Sequence, residues 1–341
     1  MRIIARSAAI EQQDWQQILA SAIRSPEQLF AALRLPATDL SARQQAASTF
    51  PLLVPEPYLR KMEPGNPDDP LLRQVMPDAE ELVAMPGYVT DPLGEQQANV
   101  TPGIVHKYNG RLLLLAATGC AVNCRYCFRR HFDYTDNRLS RRQWQTALDY
   151  VRDDPSISEV ILSGGDPLML KDDALDELLE AIGHISHVRR LRIHTRLPVV
   201  IPQRLTDHLI QQLSASRLSI SLVLHINHPN ELDALFRQYI QPLRQAGITL
   251  LNQSVLLNGV NNRVDTLVNL SQSLFDAGIL PYYLHLLDPV TGTHHFDNPE
   301  QEALVLYRQL HQRLPGYLLP RLVREEAGKA GKSLILMDDN F

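Results

Sequence analysis

The sequence predicts an α/β fold in which parallel strands and helices alternate, and three observations support this prediction. Six apolar, partly β-branched runs begin near residues 111, 159, 189, 218, 248 and 280. After the first gap they recur about every thirty residues, and helix-like stretches separate them. This repeat is typical of βαβ units with buried parallel strands. Six units fit a partial (β/α)6 barrel, although the periodicity equally allows a doubly wound sheet or a longer barrel.

The chain divides into three predicted regions. Residues 1–100 combine helices with irregular wrapping: Trp15, Ile18 and Ile23 fall on one helical face with Leu19, and Pro26 begins a second short helix. Prolines and glycines interrupt residues 50–102. Residues 101–315 form the predicted core, and residues 316–341 a basic C-terminal segment. The core helices are predicted over residues 141–152, 174–185, 206–213, 231–246, 264–277 and 300–314.

Composition excludes several classes of protein. The chain has 341 residues, 44% of them hydrophobic, and a net charge of -5, so no broad basic surface for nucleic acid is expected. The N-terminus lacks the apolar stretch of a signal peptide. No run reaches the about 18 apolar residues of a membrane-spanning helix. A cytoplasmic protein that binds neither membrane nor nucleic acid is therefore expected.

All three cysteines of the chain lie in the stretch TGCAVNCRYCFRRHF, as Cys120, Cys124 and Cys127. Each iron of a cubane [4Fe–4S] cluster takes one thiolate, so three thiolates leave one iron free to bind a small molecule. A structural zinc site usually has four ligands, and His131 is the candidate fourth ligand in that alternative. The C-x3-C-x2-C spacing, with Tyr126 before the last cysteine, resembles the radical S-adenosylmethionine (SAM) superfamily. That resemblance implies a [4Fe–4S] cluster whose free iron is chelated by SAM.

Polar residues also end the other predicted strands, where active sites of parallel α/β proteins gather. Gly164 and Gly165 follow the second run and would let backbone approach a ligand closely, while Asp166 can accept a hydrogen bond from an ammonium group. In radical SAM proteins this motif holds the amino group of SAM. Solvated strand ends are the alternative explanation for the remaining polar residues, which are His194, Arg196, His225, Asn227, His228, Gln253, Ser254, His285 and Asp288.

Residues 65–332 resemble the lysine 2,3-aminomutase family in the blocks PGIVHKY, CRYCFRRHF, SGGDPL, HINHPNE and NQSVLL. The stretches CAVNCRYCFRRHF and GNPDDPLLRQV are similar to the short-chain branch that serves the β-lysylation of elongation factor P. The resemblance implies a radical SAM core built as a partial (β/α)6 barrel. It further implies an isomerase that converts L-α-lysine to β-lysine.

The resemblance also implies pyridoxal 5′-phosphate (PLP) as a second cofactor. The family lysine that holds PLP covalently matches Lys332, and the nearby Lys329 is a competitor. Family residues that neutralise the PLP phosphate match Lys107 and Arg111, with Tyr108 beside them. Lys107 departs from the more common arginine and offers a point charge instead of a fork.

Five further assignments follow from the same resemblance. Arg129 matches the residue that pairs with the substrate carboxylate, and Asp288 and Glu325 match the two acids that hold the ε-ammonium group. Glu325 is one methylene longer than the usual aspartate. His225 and Gln253 match residues that contact SAM.

Three functions remain open at this point. The first is a lysine 2,3-aminomutase linked to elongation factor P and its lysyl ligase, with a flavodoxin or ferredoxin as reductant. The second is an aminomutase of the same fold for another amino acid such as glutamate. The third is a non-catalytic iron–sulfur or zinc module that binds a partner protein. The sequence leaves the oligomeric state, homo-oligomers included, undecided.

Overall fold

A computed structural model describes residues 14–36, 38–132 and 141–336. Residues 1–13 and 337–341 of the predicted terminal regions lie outside the described residues. The described residues form one sheet whose ten strands are hydrogen-bonded in chain order. The strands are β1 Asn99–Thr101, β2 Ile104–Tyr108, β3 Arg111–Ala117, β4 Glu159–Gly164, β5 Arg190–Thr195, β6 Ser219–Leu224, β7 Thr249–Val255, β8 Leu280–His285, β9 Arg321–Arg324 and β10 Ser333–Leu334.

The six predicted strands are confirmed as β3 to β8, and each pairs with the next in parallel. Strand β9 continues this arrangement by pairing in parallel with β8. Strands β1 and β2 extend the other edge in antiparallel fashion, and β10 folds back on β9 as an antiparallel hairpin. The C-terminal segment, predicted only as a basic segment, is thus part of the same sheet.

Helices connect the strands and precede the sheet. The α-helices of the described residues are α1 Trp15–Ala20, α2 Pro26–Leu33, α3 Leu40–Thr49, α4 Glu56–Leu59, α5 Pro70–Arg73, α6 Glu95–Ala98, α7 Arg141–Asp153, α8 Asp172–Gly183, α9 Leu197–Val200, α10 Asp207–Ala215, α11 Ala234–Gln245, α12 Val264–Asp276 and α13 Glu300–Arg313. Side-chain caps begin several of them; for example, the Thr206 hydroxyl accepts from the Leu209 N–H at the start of α10. None of the described helices is long and apolar enough to cross a bilayer.

The N-terminal helices differ from the prediction at one residue. Helix α1 ends at Ala20, and the Ser21 hydroxyl donates to the Ile18 carbonyl oxygen at 3.1 Å. Ile23 therefore lies outside the helix, where its backbone exchanges hydrogen bonds of 2.9 and 3.0 Å with Val54. Pro26 begins α2 as predicted. Trp15 and Ile18 pack into the same apolar core that covers the strands.

The sheet curves around an internal cavity. Inward-facing side chains of six successive parallel strands line that one cavity: Leu113, Ile161, Arg192, Val223, Gln253 and Tyr283. The opposite faces of these strands are buried against the helices, so the strands are covered on both sides. Because all the strands run in the same direction, their carboxyl ends meet at one rim of the cavity. This arrangement confirms the predicted partial barrel.

Candidate active site

The cavity inside the partial barrel has a volume of ≈ 510 Å³. Its wall brings together sequence-predicted site residues from eight separate segments of the chain. They are Tyr108, Arg111, Cys120, Cys124, Cys127, Arg129, Gly164, Gly165, Asp166, His225, Gln253, Asp288, Glu325 and Lys332. Lys107 is the one predicted site residue that does not reach the wall; it stands behind Glu325, with 3.5 Å between Nζ and Oε1.

The cysteine loop follows β3, and its three free thiols face the cavity. In the described part of the chain, no group of three or more His, Cys, Asp or Glu side chains converges as ligands of a single metal ion do. His131, the candidate zinc ligand, is exposed and its Nε2 lies 3.1 Å from the Thr291 carbonyl oxygen. The cysteines of a cubane cluster bind different irons and need not converge on one point. Three thiols around one cavity therefore fit a cluster better than zinc.

A buried ion pair network anchors the cysteine loop. Arg125, which lies between Cys124 and Cys127, is fully buried, and its Nε lies 2.8 Å from Glu81 Oε1. Arg130 binds the same carboxylate, with 2.6 Å between Nη2 and Oε2. Glu81 belongs to the irregular N-terminal region, for which sequence reasoning assigned no contact. That region therefore supports the loop from behind.

Gly164, the last residue of β4, and Gly165 both pack closely against backbone. A Cβ on Gly164, whose φ is +114°, would lie 2.4 Å from the Ala117 carbonyl oxygen, and one on Gly165 would lie 2.4 Å from the Gly119 carbonyl oxygen. The close approach is thus to the backbone that leads into the cysteine loop. The glycines set the distance between the two loops at the rim, and both still line the cavity.

Asp166 connects two strand ends. Its Oδ1 accepts from Thr195 Oγ1 at 2.7 Å and from the Leu168 N–H at 3.0 Å. Its Oδ2 accepts from the N–H groups of Arg196 and Leu197 at 2.7 and 2.8 Å. The protein itself supplies four donors to this carboxylate, so Asp166 orders the rim beside the predicted SAM site.

His225, which directly follows β6, and Gln253 in β7 line the cavity. The His225 ring stacks on Tyr126 at 5.7 Å between ring centroids, and its Nε2 lies 2.9 Å from the Tyr126 hydroxyl. Burial, together with the charge of Arg196, lowers the pKa of His225 to about 3. His225 is consequently neutral at physiological pH.

The far end of the cavity is built on the β9–β10 hairpin. Ser333 pairs with Arg324, so the next residues outward, Lys332 and Glu325, stand opposite each other. Lys332 Nζ donates to Glu325 Oε2 at 2.6 Å. Lys329 lies on the hairpin loop and is exposed. Of these two lysines, only Lys332 reaches the cavity.

The two acids at this end carry opposite pKa shifts. Burial and the neighbouring Glu325 raise the pKa of Asp288 to about 7. Burial also acts to raise the pKa of Glu325, but Lys332 and Lys107 outweigh it and lower that pKa to about 2. Glu325 is therefore an anion paired with Lys332. The charged form of Asp288, in contrast, would be stabilised by an additional cation.

Arginines and tyrosines line the wall between the two ends. The Tyr108 hydroxyl donates to Glu325 Oε1 at 3.2 Å, and the Arg111 guanidinium stacks over the Tyr108 ring at 4.6 Å. Arg192, which sequence reasoning did not assign, faces the same space from β5 and pairs with Glu159 at 2.7 Å. Two guanidinium groups and a lysine on one wall are a donor set that fits a phosphorylated aldehyde such as PLP.

Arg129 already has partners for each of its nitrogens. Its Nε and Nη2 lie 2.6 and 2.7 Å from the two carboxylate oxygens of Glu95, in a bidentate pair. Its Nη1 donates to Ser163 Oγ at 3.0 Å and to the Gly164 carbonyl oxygen at 3.2 Å. The guanidinium plane is thus fixed where it faces the cavity, and Glu95 is a site residue that sequence reasoning missed.

Two cavity histidines keep a nitrogen without a hydrogen-bond partner within the described residues. They are His194 and His285, each through Nε2. Burial, with Arg192 and Lys332 for His194 and with Lys332 for His285, lowers both pKa values well below the usual range. Both rings are therefore neutral and face the same charged end of the cavity.

The residues that sequence reasoning missed differ in the signal they left. Arg192 alternates with buried Leu191 and Ile193 and lies two residues before His194, which the sequence analysis did name, so the strand pattern already indicated a polar, inward face. Glu95 begins the short helix α6, in a stretch of the sequence without apolar periodicity, and nothing near it in the sequence pointed to Arg129.

Comparisons with known proteins agree with this geometry. The radical SAM superfamily model matches residues 114–268. An L-lysine 2,3-aminomutase of Escherichia coli (strain K12) is 52% identical over 322 residues, which cover 94% of each chain. The namesake from Haemophilus influenzae is 51% identical and covers 98% of this chain and 99% of its own. The one from Clostridium subterminale is 33% identical and covers 95% of this chain and 78% of its own.

Proposed function

Because the chain belongs to the L-lysine 2,3-aminomutase family of radical SAM enzymes, we propose that it converts free L-α-lysine to β-lysine with the help of PLP. The chain is an isomerase of the aminomutase type. Asp288 carries the assignment of the substrate. Its carboxylate lines the cavity beside Glu325. Burial and Glu325 raise its pKa to about 7, although Lys332 and Lys107 act to lower it, so a further ammonium group in the cavity would stabilise its charged form.

The three cysteines would hold the [4Fe–4S] cluster, and the rim formed by Gly164, Gly165, Asp166, His225 and Gln253 would surround SAM. Lys332 would hold PLP covalently, with Arg111 and Tyr108 beside it and Lys107 behind. When bound, these cofactors supply the radical and the ring that spreads the unpaired electron. The protein supplies position and exclusion of water.

Substrate lysine would be bound by charged side chains at both of its ends. Asp288 would bind its ε-ammonium group, and Glu325 would join Asp288 once Lys332 is engaged with PLP and no longer occupies the Glu325 carboxylate. Arg129, held in place by Glu95, would face the substrate carboxylate. An ion pair at each end of the substrate would fix which of its carbon atoms faces the radical, because a shift of the substrate along the cavity would break one of the two ion pairs.

The experiment that tests this function is anaerobic reconstitution with iron, sulfide, SAM, PLP and a one-electron reductant. We expect 5′-deoxyadenosine and β-lysine from L-lysine and no amino-group shift from L-glutamate. Turnover of glutamate in preference to lysine would establish the second function of the sequence analysis instead. Absence of SAM cleavage in protein that holds its cluster would contradict the proposal.

We further propose that the β-lysine serves elongation factor P through its lysyl ligase, in the cytoplasm and with a flavodoxin or ferredoxin as reductant. The resemblance of the stretches CAVNCRYCFRRHF and GNPDDPLLRQV to the short-chain branch supports this proposal. The test is mass spectrometry of elongation factor P after incubation with the ligase and the enzymatic product. An unchanged mass with the product, alongside modification by synthetic β-lysine, would contradict it.

A further inference from the structure

A buried arginine donates a hydrogen bond to one of the three cavity cysteines. Arg196 follows β5, and its Nη1 lies 2.7 Å from Cys124 Sγ and 2.6 Å from the Tyr126 hydroxyl. The residue is only 7% exposed. A permanent positive charge thus lies in direct contact with a sulfur, away from water that would screen it.

Three further side chains accept hydrogen bonds from the second terminal nitrogen of this guanidinium. Nη2 donates to the Tyr58 hydroxyl at 3.0 Å, to Gln74 Oε1 at 2.7 Å and to Glu231 Oε2 at 3.0 Å. Glu231 is fully buried and is the anionic partner in this set. Arg196 is therefore held against Cys124 from the opposite side, and its charge is balanced by one carboxylate.

Contacts of this kind act on the electron affinity of an iron–sulfur cluster. Reduction adds a negative charge, which a nearby cation or an N–H···S hydrogen bond stabilises, so the reduction potential rises. A buried anion next to the cation has the opposite effect. The pair Arg196 and Glu231 consequently brings two opposing contributions to the same sulfur.

We propose that Arg196 raises the reduction potential of the cluster held by Cys120, Cys124 and Cys127, and that Glu231 limits this rise. The inference rests on the cluster ligation in the proposed function. The higher reduction potential would allow a low-potential one-electron donor to reduce the cluster before SAM is cleaved. Arg196 acts on the cluster through Cys124.

The test is the midpoint potential of the anaerobically reconstituted full chain, measured without SAM by a dithionite titration followed by electron paramagnetic resonance. We expect Arg196→Gln to shift the potential to more negative values, and Arg196→Lys to shift it less in the same direction. Glu231→Gln keeps the shape of the side chain but removes its negative charge, so we expect the midpoint potential to shift to more positive values.

The control is Arg204→Gln. Arg204 is fully buried, and its side chain donates to the Leu168 carbonyl oxygen at 2.7 Å and pairs with Asp172 at 2.8 Å. We expect an unchanged potential for this variant. Iron and sulfide content are measured first. Wild-type protein without about four irons would contradict the cluster ligation of the proposed function, and this failure is distinct from an unchanged potential in the variants.

The opposite signs distinguish tuning from a structural role. A residue that merely supports the loop would give shifts of the same direction in the Arg196 and Glu231 variants, or loss of cluster in both. If Arg196→Gln fails to hold a cluster, the midpoint potentials of Arg196→Lys and Glu231→Gln test the proposal in its place. Equal potentials in wild type and both of these variants, or a negative shift in Glu231→Gln, would overturn the proposal.

Discussion

Arg196, at the cysteine end of the cavity, donates to five side chains, whereas the Lys332 ammonium at the other end hydrogen-bonds Glu325. Breaking many buried hydrogen bonds at once is costly, so we expect the cysteine end to keep its arrangement when ligands bind. A lysine held by one carboxylate can exchange that partner for a ligand. The comparison predicts a preformed end at the cysteines and an exchangeable end at Lys332.

The largest expected effect is at the preformed end. Cys124→Ser should reduce 5′-deoxyadenosine formation to background, because the cluster loses one of three thiolates and no other cysteine exists to replace it. Chromatography after anaerobic reconstitution measures the loss. The neighbouring Asn123→Ala removes only a hydrogen bond to the Pro51 carbonyl oxygen and should retain activity. Full SAM cleavage by Cys124→Ser would show that this end tolerates replacement.

The next effect is at the exchangeable end. Lys332→Ala should lose the absorbance of covalently bound PLP, and β-lysine formation should fall to background, because Lys332 is the one lysine that lines the cavity among the residues the structure describes. Lys329→Ala is the matched control on the exposed loop and should keep both. Difference spectra on adding PLP to each apoprotein measure the binding. An unchanged spectrum in Lys332→Ala, with loss in Lys329→Ala, would reverse the assignment.

The two acids at the exchangeable end should respond to pH with opposite signs. The pKa of Asp288 rises from 3.8 to about 7 on folding. The folded protein therefore binds that proton more tightly, and stability falls as pH rises from about 4 to 7. Asp288→Asn should be more stable than wild type by roughly 2–4 kcal/mol above pH 7, and the difference should vanish below pH 4.

Glu325→Gln is the control of opposite sign. The pKa of Glu325 falls from 4.5 to about 2 on folding, so its contribution is present above pH 4.5 and lost as pH falls towards 2. Urea denaturation of the apoproteins at several pH values measures both variants. Equal stability of Asp288→Asn and wild type at pH 8 would show that Asp288 already has a partner.

The smallest expected effect concerns Arg129, whose bidentate pair with Glu95 resembles the preformed end. Glu95→Gln should raise the KM for lysine by about tenfold, which corresponds to roughly 1.4 kcal/mol, with less change in kcat. Steady-state kinetics with saturating SAM and PLP measure this ratio. A lower KM would mean that Glu95 competes with the substrate carboxylate and that this pair also exchanges.

The sequence by itself determined the order of strands and helices and the place of the three cysteines. Apolar periodicity is local, because side chains alternate along a strand and recur every turn of a helix. The cysteine spacing is local as well, and the rim residues follow from the common direction of the strands. These features hold whatever lies elsewhere in the chain.

Tertiary structure decided the partners. Arg129 meets Glu95 from 34 residues away, and Arg196 meets Gln74 from 122 residues away, and no local pattern encodes such distances. The pairing of Lys332 with Glu325 likewise required the hairpin at the edge of the sheet, because Lys329 has similar sequence surroundings. Charges of this kind acquire their pKa and their role from burial and from neighbours that only the folded chain brings together.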